Sequence, residues 1–288
     1  MSRPDNLHTR IFLDSGDPDD TRCTLSLLGF LDGQTTNPSL VAHNPTVLAC
    51  LTQEGKCSKS EIHDLYKELI TEISSILPEG DISIEVYAQM DTFSEHMMQD
   101  ARDMHEWAEN ARIKFPTNAH GINAAIEALK EGMKVNMTLV FSQAQAAAIH
   151  AATKGAQPGQ VIISPFIGRL DDAGLRGFDL VENCMRMYRE AGSHVQVLAA
   201  SIRSEQHLQA CFASDVDIVT APTRILEAWG RGGMVVAKDG DASKFAGTEI
   251  EYVEYDLTAD WKTFDITHPL TDAGVTKFAA EWDNLIGH

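Results

Sequence analysis

The 288-residue chain is predicted to fold as a (β/α)8 barrel, an α/β fold, with a C-terminal helical extension. Three observations point there. Short β-rich runs alternate with longer stretches of helical period. Strict alternation implies parallel strands joined by right-handed crossovers. Eight such units within residues 1–230 suit a barrel, which usually takes about 250 residues. A doubly wound open sheet is the alternative. It usually carries a Gly-rich phosphate loop after its first strand, and Asp14-Ser15-Gly16-Asp17-Pro18 does not match G-x-G-x-x-G.

The predicted strands, in order, are Arg10–Asp14, Phe30–Thr36, Ile82–Ala88, Arg112–Pro116, Lys134–Val140, Gln160–Ile167, His194–Ala200 and Asp217–Thr220. The helical stretches among them include Ser60–Leu77, Ser94–Asn110, Ile122–Glu131, Gln143–Thr153, Gly177–Ala191 and Glu205–Ala213. Residues 231–288 behave differently and are assigned to the extension. Gly230 to Thr267 carries loop signals, charged residues and one candidate strand, Ile250–Tyr255. A helix is predicted over Thr271–Ile286, with Thr271 or Asp272 as its N-cap. Val275, Phe278, Ala279, Trp282 and Leu285 recur at three- and four-residue spacing and give that helix one apolar face. The face fits either the outer ring of the barrel or a neighbouring subunit.

Composition narrows the function. Apolar residues make up 43% of the chain, enough for a sizeable core. Lys and Arg total 23 against 42 Asp and Glu, a net charge of −19. That field repels phosphate backbones and anionic membrane surfaces, so neither nucleic acid nor membrane is an expected partner. No secretory signal or membrane-length apolar run is present. The five cysteines (Cys23, Cys50, Cys57, Cys184 and Cys211) are odd in number, scattered and without C-x-x-C, which fits a reducing, cytoplasmic setting. His105-Glu106 is followed by Glu109 where a zinc-binding H-E-x-x-H would have its second His, and no metal is expected.

A barrel interior is a packed apolar core, and active sites lie at the C-terminal ends of its strands. Polar residues near those ends are therefore the candidates, and almost every predicted strand has one. Strand one ends in Asp14 and strand two in Thr36-Asn37; strand three carries Glu85 and strand four Lys114. Asn136 and Thr138 are two apart on strand five and share a face. Strand six has Ser164, with Arg169 just beyond; strand seven runs into Ser201 and Arg203; strand eight ends at Thr220.

Each has a plainer reading. An isolated strand lysine snorkels outward. Inside a barrel mouth, burial disfavours the ammonium, and a neutral amine is a nucleophile able to form a Schiff base with a carbonyl. Asp14 and Glu85 are otherwise an ion pair or a helix cap; as a functional pair, one carboxylate moves the proton of a sugar hydroxyl and the other holds a water. Asn37, followed by Pro38, reads first as a cap or turn residue, as does Asn136 more weakly; their amides also suit a polyol. Arg169 and Arg203 each read singly as surface ion pairs, but with Ser201 they can grip a phosphate. Their shared position across the strands is the specific signal.

These residues sit in runs that resemble the transaldolase family, including its smaller fructose-6-phosphate aldolase-like members. The matching runs are Ile11-Phe-Leu-Asp-Ser-Gly-Asp17, Asp32-Gly-Gln-Thr-Thr-Asn-Pro-Ser39, Ile113-Lys-Phe-Pro116, Val135-Asn-Met-Thr-Leu-Val-Phe-Ser142, Ser164-Pro-Phe-Ile-Gly-Arg169 and Ala200-Ser-Ile-Arg203. The resemblance implies a cofactor-free (β/α)8 enzyme, usually a homo-oligomer, that moves a dihydroxyacetone unit between sugar phosphates. It implies Lys114 as the Schiff-base lysine and Asp14 as the acid/base at the donor's C4 hydroxyl. It implies Glu85 and Thr138 as holders of the shuttling water, and Asn37, Asn136 and Ser164 as ligands of the three-carbon unit. Arg169, Ser201 and Arg203 would take the phosphate. Aldolase-like members typically have Gln at the Glu85 position and Tyr at the Phe166 position, so Glu85 and Phe166 favour transfer over release of dihydroxyacetone. After Arg169, Leu-Asp-Asp-Ala-Gly174 is closer to the aldolase-like branch, which leaves donor, acceptor and the anion (phosphate or sulfonate) open. A silent sugar-phosphate-binding barrel is the non-enzymatic alternative.

Overall fold

The computed structural model describes residues 2–54, 58–238 and 245–285. The side chains of Cys50 and Leu285, together with Cys57 and Ile286, fall outside the described residues. Eight parallel strands close into a barrel in sequential order: β1 Arg10–Asp14, β2 Gly33–Thr35, β3 Asp81–Glu85, β4 Ala111–Pro116, β5 Lys134–Val140, β6 Val161–Pro165, β7 Val195–Ala199 and β8 Ile218–Ala221, with β8 pairing back to β1. Twelve helices follow in chain order among the described residues. They are α1 Pro18–Leu28, α2 Pro38–Ala42, α3 Pro45–Glu54, α4 Lys59–Ile76, α5 Ser94–His105, α6 Ala119–Lys130, α7 Gln143–Ala152, α8 Ile167–Asp172, α9 Gly177–Ala191, α10 Glu205–Ala213, α11 Thr223–Arg231 and α12 Pro269–Leu285.

Local chemistry sets most boundaries. Asp17 caps α1, its side chain accepting the Asp19 N–H with Pro18 at the first turn, while Asp14 stays on the strand. Ser58 with Glu61, and Ser142 with Gln145, form capping boxes for α4 and α7. The ladder of β2 is shorter than the predicted Phe30–Thr36. It begins at Gly33, where a Cβ would lie 2.4 Å from the Asp81 carbonyl oxygen and 2.7 Å from the Phe12 ring. Only a residue without a side chain fits between those walls.

Strand alternation sorts the interior into levels. Phe12, Ile162, Leu198, Ala200 and Ile218 form an apolar plug inside the barrel, separate from the larger core between strands and helices. Below the plug, at the N-terminal end, Arg112 and Asp81 make a buried bidentate pair at 2.6 and 2.8 Å. Above it, at the C-terminal end, lie the polar residues described in the next subsection.

The segment after α11 differs from expectation in two places. Residues 250–255 form no strand. Instead, side chains of the barrel helices hold the extended backbone: Ile250 donates to Asp179 at 2.9 Å and accepts from Asn183 at 2.8 Å, and the Gln143 amide bonds both ways with Val253 at 2.7 and 2.9 Å. A backbone so satisfied has no need of a ladder partner. Neither Thr271 nor Asp272 caps α12, which already starts at Pro269. The Leu270 N–H goes to His268 Nδ1 at 3.2 Å, and the Thr271 hydroxyl is a tertiary tie, donating to Leu139 O and accepting from Gln145 Nε2, both at 2.9 Å.

α12 lies across the C-terminal mouth, on α2 and β5. Leu139, with φ of 61°, interrupts the β5–β6 register and presents its carbonyl to Thr271. Gly274 permits the close approach, since a Cβ there would lie 2.6 Å from the Leu139 side chain and 2.8 Å from an Arg169 nitrogen. Val275, Phe278, Ala279 and Trp282 of the predicted apolar stripe are buried. No helix among the described residues is long and apolar enough to cross a membrane.

Candidate active site

Register brings the candidate residues to one level. Glu85 pairs with Lys114 and Lys114 with Asn136, while Asp14 pairs with Thr35. Parallel partners project on the same side, so all five point into the mouth end of the barrel. Lys114 Nζ is buried; it donates to the Thr36 carbonyl at 2.9 Å and lies 2.9 Å from Glu85 Oε2. The latter contact is an ion pair off the line of a good hydrogen bond, for Oε2 has no aligned donor. The β3–β4 register sets the two side chains next to each other, so the buried amine expected from the sequence lies against a carboxyl group that strand order alone did not reveal.

Around this pair the hydroxyls and amides form short chains. Thr35 Oγ1 donates to Asp14 Oδ1 at 2.7 Å and is 2.6 Å from Thr220 Oγ1. Ser164 Oγ donates to Asn136 Oδ1 at 2.7 Å, and Asn136 Nδ2 donates to Ser83 Oγ at 3.2 Å. Thr138 Oγ1 is buried and has no hydrogen-bond partner among the described residues. Burial pushes the Asp14 carboxyl above its ordinary range; the Lys114 charge and the Thr35 bond pull the other way. Burial likewise raises Glu85, opposed first by Lys114 and then by Arg169. Carboxyls so raised exchange protons nearer neutrality, which suits general acid/base work.

A cavity of about 230 Å³ opens above. Asp14, Asn37, Lys114, Thr138, Ser164, Phe166, Arg169, Ser201 and Arg203 line it, so most of the candidates meet in one space. Glu85 and Asn136 do not line it: they stand behind Lys114 and Ser164 as their hydrogen-bonding or ionic partners. Asn37 also serves as the cap its sequence suggested, Oδ1 accepting the Leu40 N–H at 3.0 Å. Its amide nitrogen is the remaining donor.

The far side of the cavity is cationic. Arg169 is clamped between Phe166 and Phe278, its guanidinium carbon 5.2 and 5.1 Å from the ring centroids. Among the described residues no carboxylate lies within ion-pair distance of it. Arg203 is half-exposed and paired with Asp172 at 2.9 Å, which agrees with its plainer reading as an ion pair. Gly168 lets the two arginine segments approach: a Cβ there would sit 2.5 Å from both the Arg203 stem and the Ser201 carbonyl. The arrangement thus gathers a buried amine and a carboxyl raised by burial at the floor of one cavity and guanidinium groups at its rim.

Among the lining residues, sequence reasoning gave no site role to Thr35, Lys277 and Phe278, and it noted Thr220 only as the polar end of strand eight. The two threonines stand at strand ends, where the rule that found the others applies equally. Lys277 and Phe278 come from α12, and no property of a barrel strand points to them.

The chain matches the transaldolase/fructose-6-phosphate aldolase family over residues 11–288. A protein named probable transaldolase from Dehalococcoides mccartyi is 32% identical over 276 residues, 96% of this chain and 99% of that one. Another so named, from Bdellovibrio bacteriovorus, is 29% identical over 95% of this chain and 97% of its own length. The solved structure of KGPDC from Streptococcus mutans aligns over 98% of this chain and 99% of that one, at 13% identity and a TM-score of 0.45. On the strength of the match along almost its whole length, this chain belongs to the transaldolase/fructose-6-phosphate aldolase family.

Proposed function

We propose that the protein is a transaldolase that carries a dihydroxyacetone unit from a ketose phosphate, sedoheptulose 7-phosphate or fructose 6-phosphate, to an aldose phosphate through a Schiff base on Lys114. The observation that carries this reading is the buried Lys114 amine at the floor of the cavity, beside two carboxyls raised by burial.

In the proposed cycle, Lys114 Nζ gives up a proton and adds to the donor's C2 carbonyl. Loss of water leaves a protonated imine. Asp14 takes the proton of the C4 hydroxyl, the C3–C4 bond breaks, and its electron pair enters the imine to give an enamine while the first aldehyde leaves. The enamine then attacks the incoming aldehyde, whose oxygen receives the proton from Asp14, and water releases the new ketose. Glu85, in contact with Nζ, exchanges the proton that imine formation and hydrolysis require. Thr138, whose hydroxyl has no partner among the described residues, holds the water. Asn37 and Ser164 orient the three-carbon unit, with Asn136 acting through the Ser164 hydroxyl it accepts, and Arg169, Ser201 and Arg203 receive the phosphate of donor and acceptor.

Borohydride reduction in the presence of fructose 6-phosphate is expected to leave a stable mass adduct on Lys114; a wild-type protein with no adduct would mean binding without catalysis. Transfer is separated from lysis by assaying free dihydroxyacetone. Slow release without an aldehyde acceptor, and fast turnover with one, is the transferase result. Fast release without acceptor assigns a lyase. A parallel screen of sulfonated ketoses identifies the anion.

A further inference from the structure

His207 sits near the start of α10, behind the cavity wall, and takes no part in the cycle above. Its ring is buried, with Phe245 at 5.0 Å and Phe178 beyond Phe245 at 5.6 Å. Both ring nitrogens are engaged. Nδ1 accepts the backbone N–H of Arg203 at 3.3 Å, and Nε2 lies 3.2 Å from Asp171 Oδ2. An acceptor at Nδ1 places the ring proton on Nε2, the side that faces the Asp171 carboxylate. Asp171 is itself held, accepting the Gly177 N–H at 2.9 Å, while its neighbour Asp172 pairs with the Arg203 guanidinium.

The turn held in this way carries two of the three anion residues. Ser201 has φ of 60°, a left-handed conformation that a non-glycine residue keeps only where its surroundings impose it. Its carbonyl accepts the Gly168 N–H at 3.0 Å, and His207 secures the other end of the turn.

We propose that His207 is a positioning residue for anion binding: its neutral ring, oriented by Asp171, holds residues 201–203 so that Ser201 and Arg203 face the substrate's anionic end, and protonation of the ring releases that turn. A proton on Nδ1 converts the acceptor into a donor facing the Arg203 N–H. Of the charged groups facing the ring, Asp171 favours protonation and Arg203 opposes it. Burial among the phenylalanines also opposes it and prevails, so release comes on the acid side of an ordinary histidine. The proposal rests on the assignment of Arg169, Ser201 and Arg203 to the anion, and it is independent of the imine chemistry.

The test measures binding of inorganic sulfate to the full-length protein by calorimetry across about pH 5 to 8, a range in which histidine titrates and sulfate does not. Arg169→Ala supplies the baseline for adventitious binding. The wild-type dissociation constant is expected to rise about fivefold to tenfold towards the acid end, the range that loss of one hydrogen bond spans. His207→Asn keeps an acceptor near the Nδ1 position and cannot titrate; its affinity should match the wild type at neutral pH and stay level. His207→Leu should bind about tenfold more weakly throughout. Parallel profiles for wild type and His207→Asn overturn the proposal, as does unchanged affinity in a folded His207→Leu. Absence of sulfate binding above the Arg169→Ala baseline overturns it together with the anion assignment. Trapping of dihydroxyacetone on Lys114, which needs no anion, reports separately on the imine.

Discussion

Strands β3 and β4 each carry two buried charges on the barrel's inner face, and they make two ion pairs of opposite character. At the N-terminal end Arg112 is saturated: Nε and Nη2 reach the two Asp81 oxygens, and the remaining donors reach the carbonyls of Val135, Gln160 and Gly159 at 2.8 to 3.1 Å. Every guanidinium donor has an acceptor, so the pair holds structure and offers nothing to a ligand. Two residues further along β4, Lys114 has one carbonyl and a misaligned carboxylate, a neighbouring threonine hydroxyl has no partner among the described residues, and a cavity opens above. Similar charges on the same strands become a staple where every hydrogen bond is made and the proposed reaction centre where some are left open.

That contrast can be broken most directly at Lys114. Lys114→Met should lose nearly all turnover in a coupled assay while circular dichroism shows a folded barrel. Its stability should become pH-dependent. With the ammonium gone, nothing on Nζ opposes the burial that raises Asp14 and Glu85. A carboxyl whose folded pKa exceeds its unfolded value contributes stability below the unfolded pKa, near 4, and loses it as pH rises through the folded value. The melting temperature of Lys114→Met should therefore fall from acid towards neutral pH more steeply than that of the wild type; parallel curves would show that the ammonium does not restrain the two carboxyls.

Asp14→Asn should lower turnover by about 10²- to 10⁴-fold, the usual contribution of a general acid/base. Borohydride should still trap the imine on Lys114 in this variant, which separates proton transfer at C4 from imine formation. Arg112→Met should do the reverse, leaving per-molecule turnover near wild type in the folded fraction. Urea denaturation should show a loss of about 3–5 kcal/mol, because a buried Asp81 is left unpaired. If Arg112→Met cost activity without stability, the division of labour between the two ends would be wrong.

The smallest effect is expected at α12. In Gly274→Ala the added methyl would press on Leu139 and Arg169. Overpacking of this kind costs about 1–3 kcal/mol, here shared between stability and the placement of Arg169. KM for phosphorylated substrates should rise several-fold with kcat little changed; an equal rise for an unphosphorylated aldehyde would detach the helix from the anion end.

The alternation of β-rich and helical stretches, the polar residue at nearly every strand end and the ordered motifs from Ile11 to Arg203 were legible in the sequence. They are local or periodic, and period and local chemistry decide such features. The barrel order and the meeting of Asp14, Asn37, Lys114, Thr138, Ser164, Arg169, Ser201 and Arg203 in one cavity accord with them. Tertiary structure alone decided that Glu85 lies against Lys114, that 250–255 is an extended strap held by Gln143, Asp179 and Asn183, and that Lys277 and Phe278 line the cavity. Each of these depends on strand register or on contacts between residues far apart in the chain. Periodicity says which face of an element is buried but not which distant side chain meets it there.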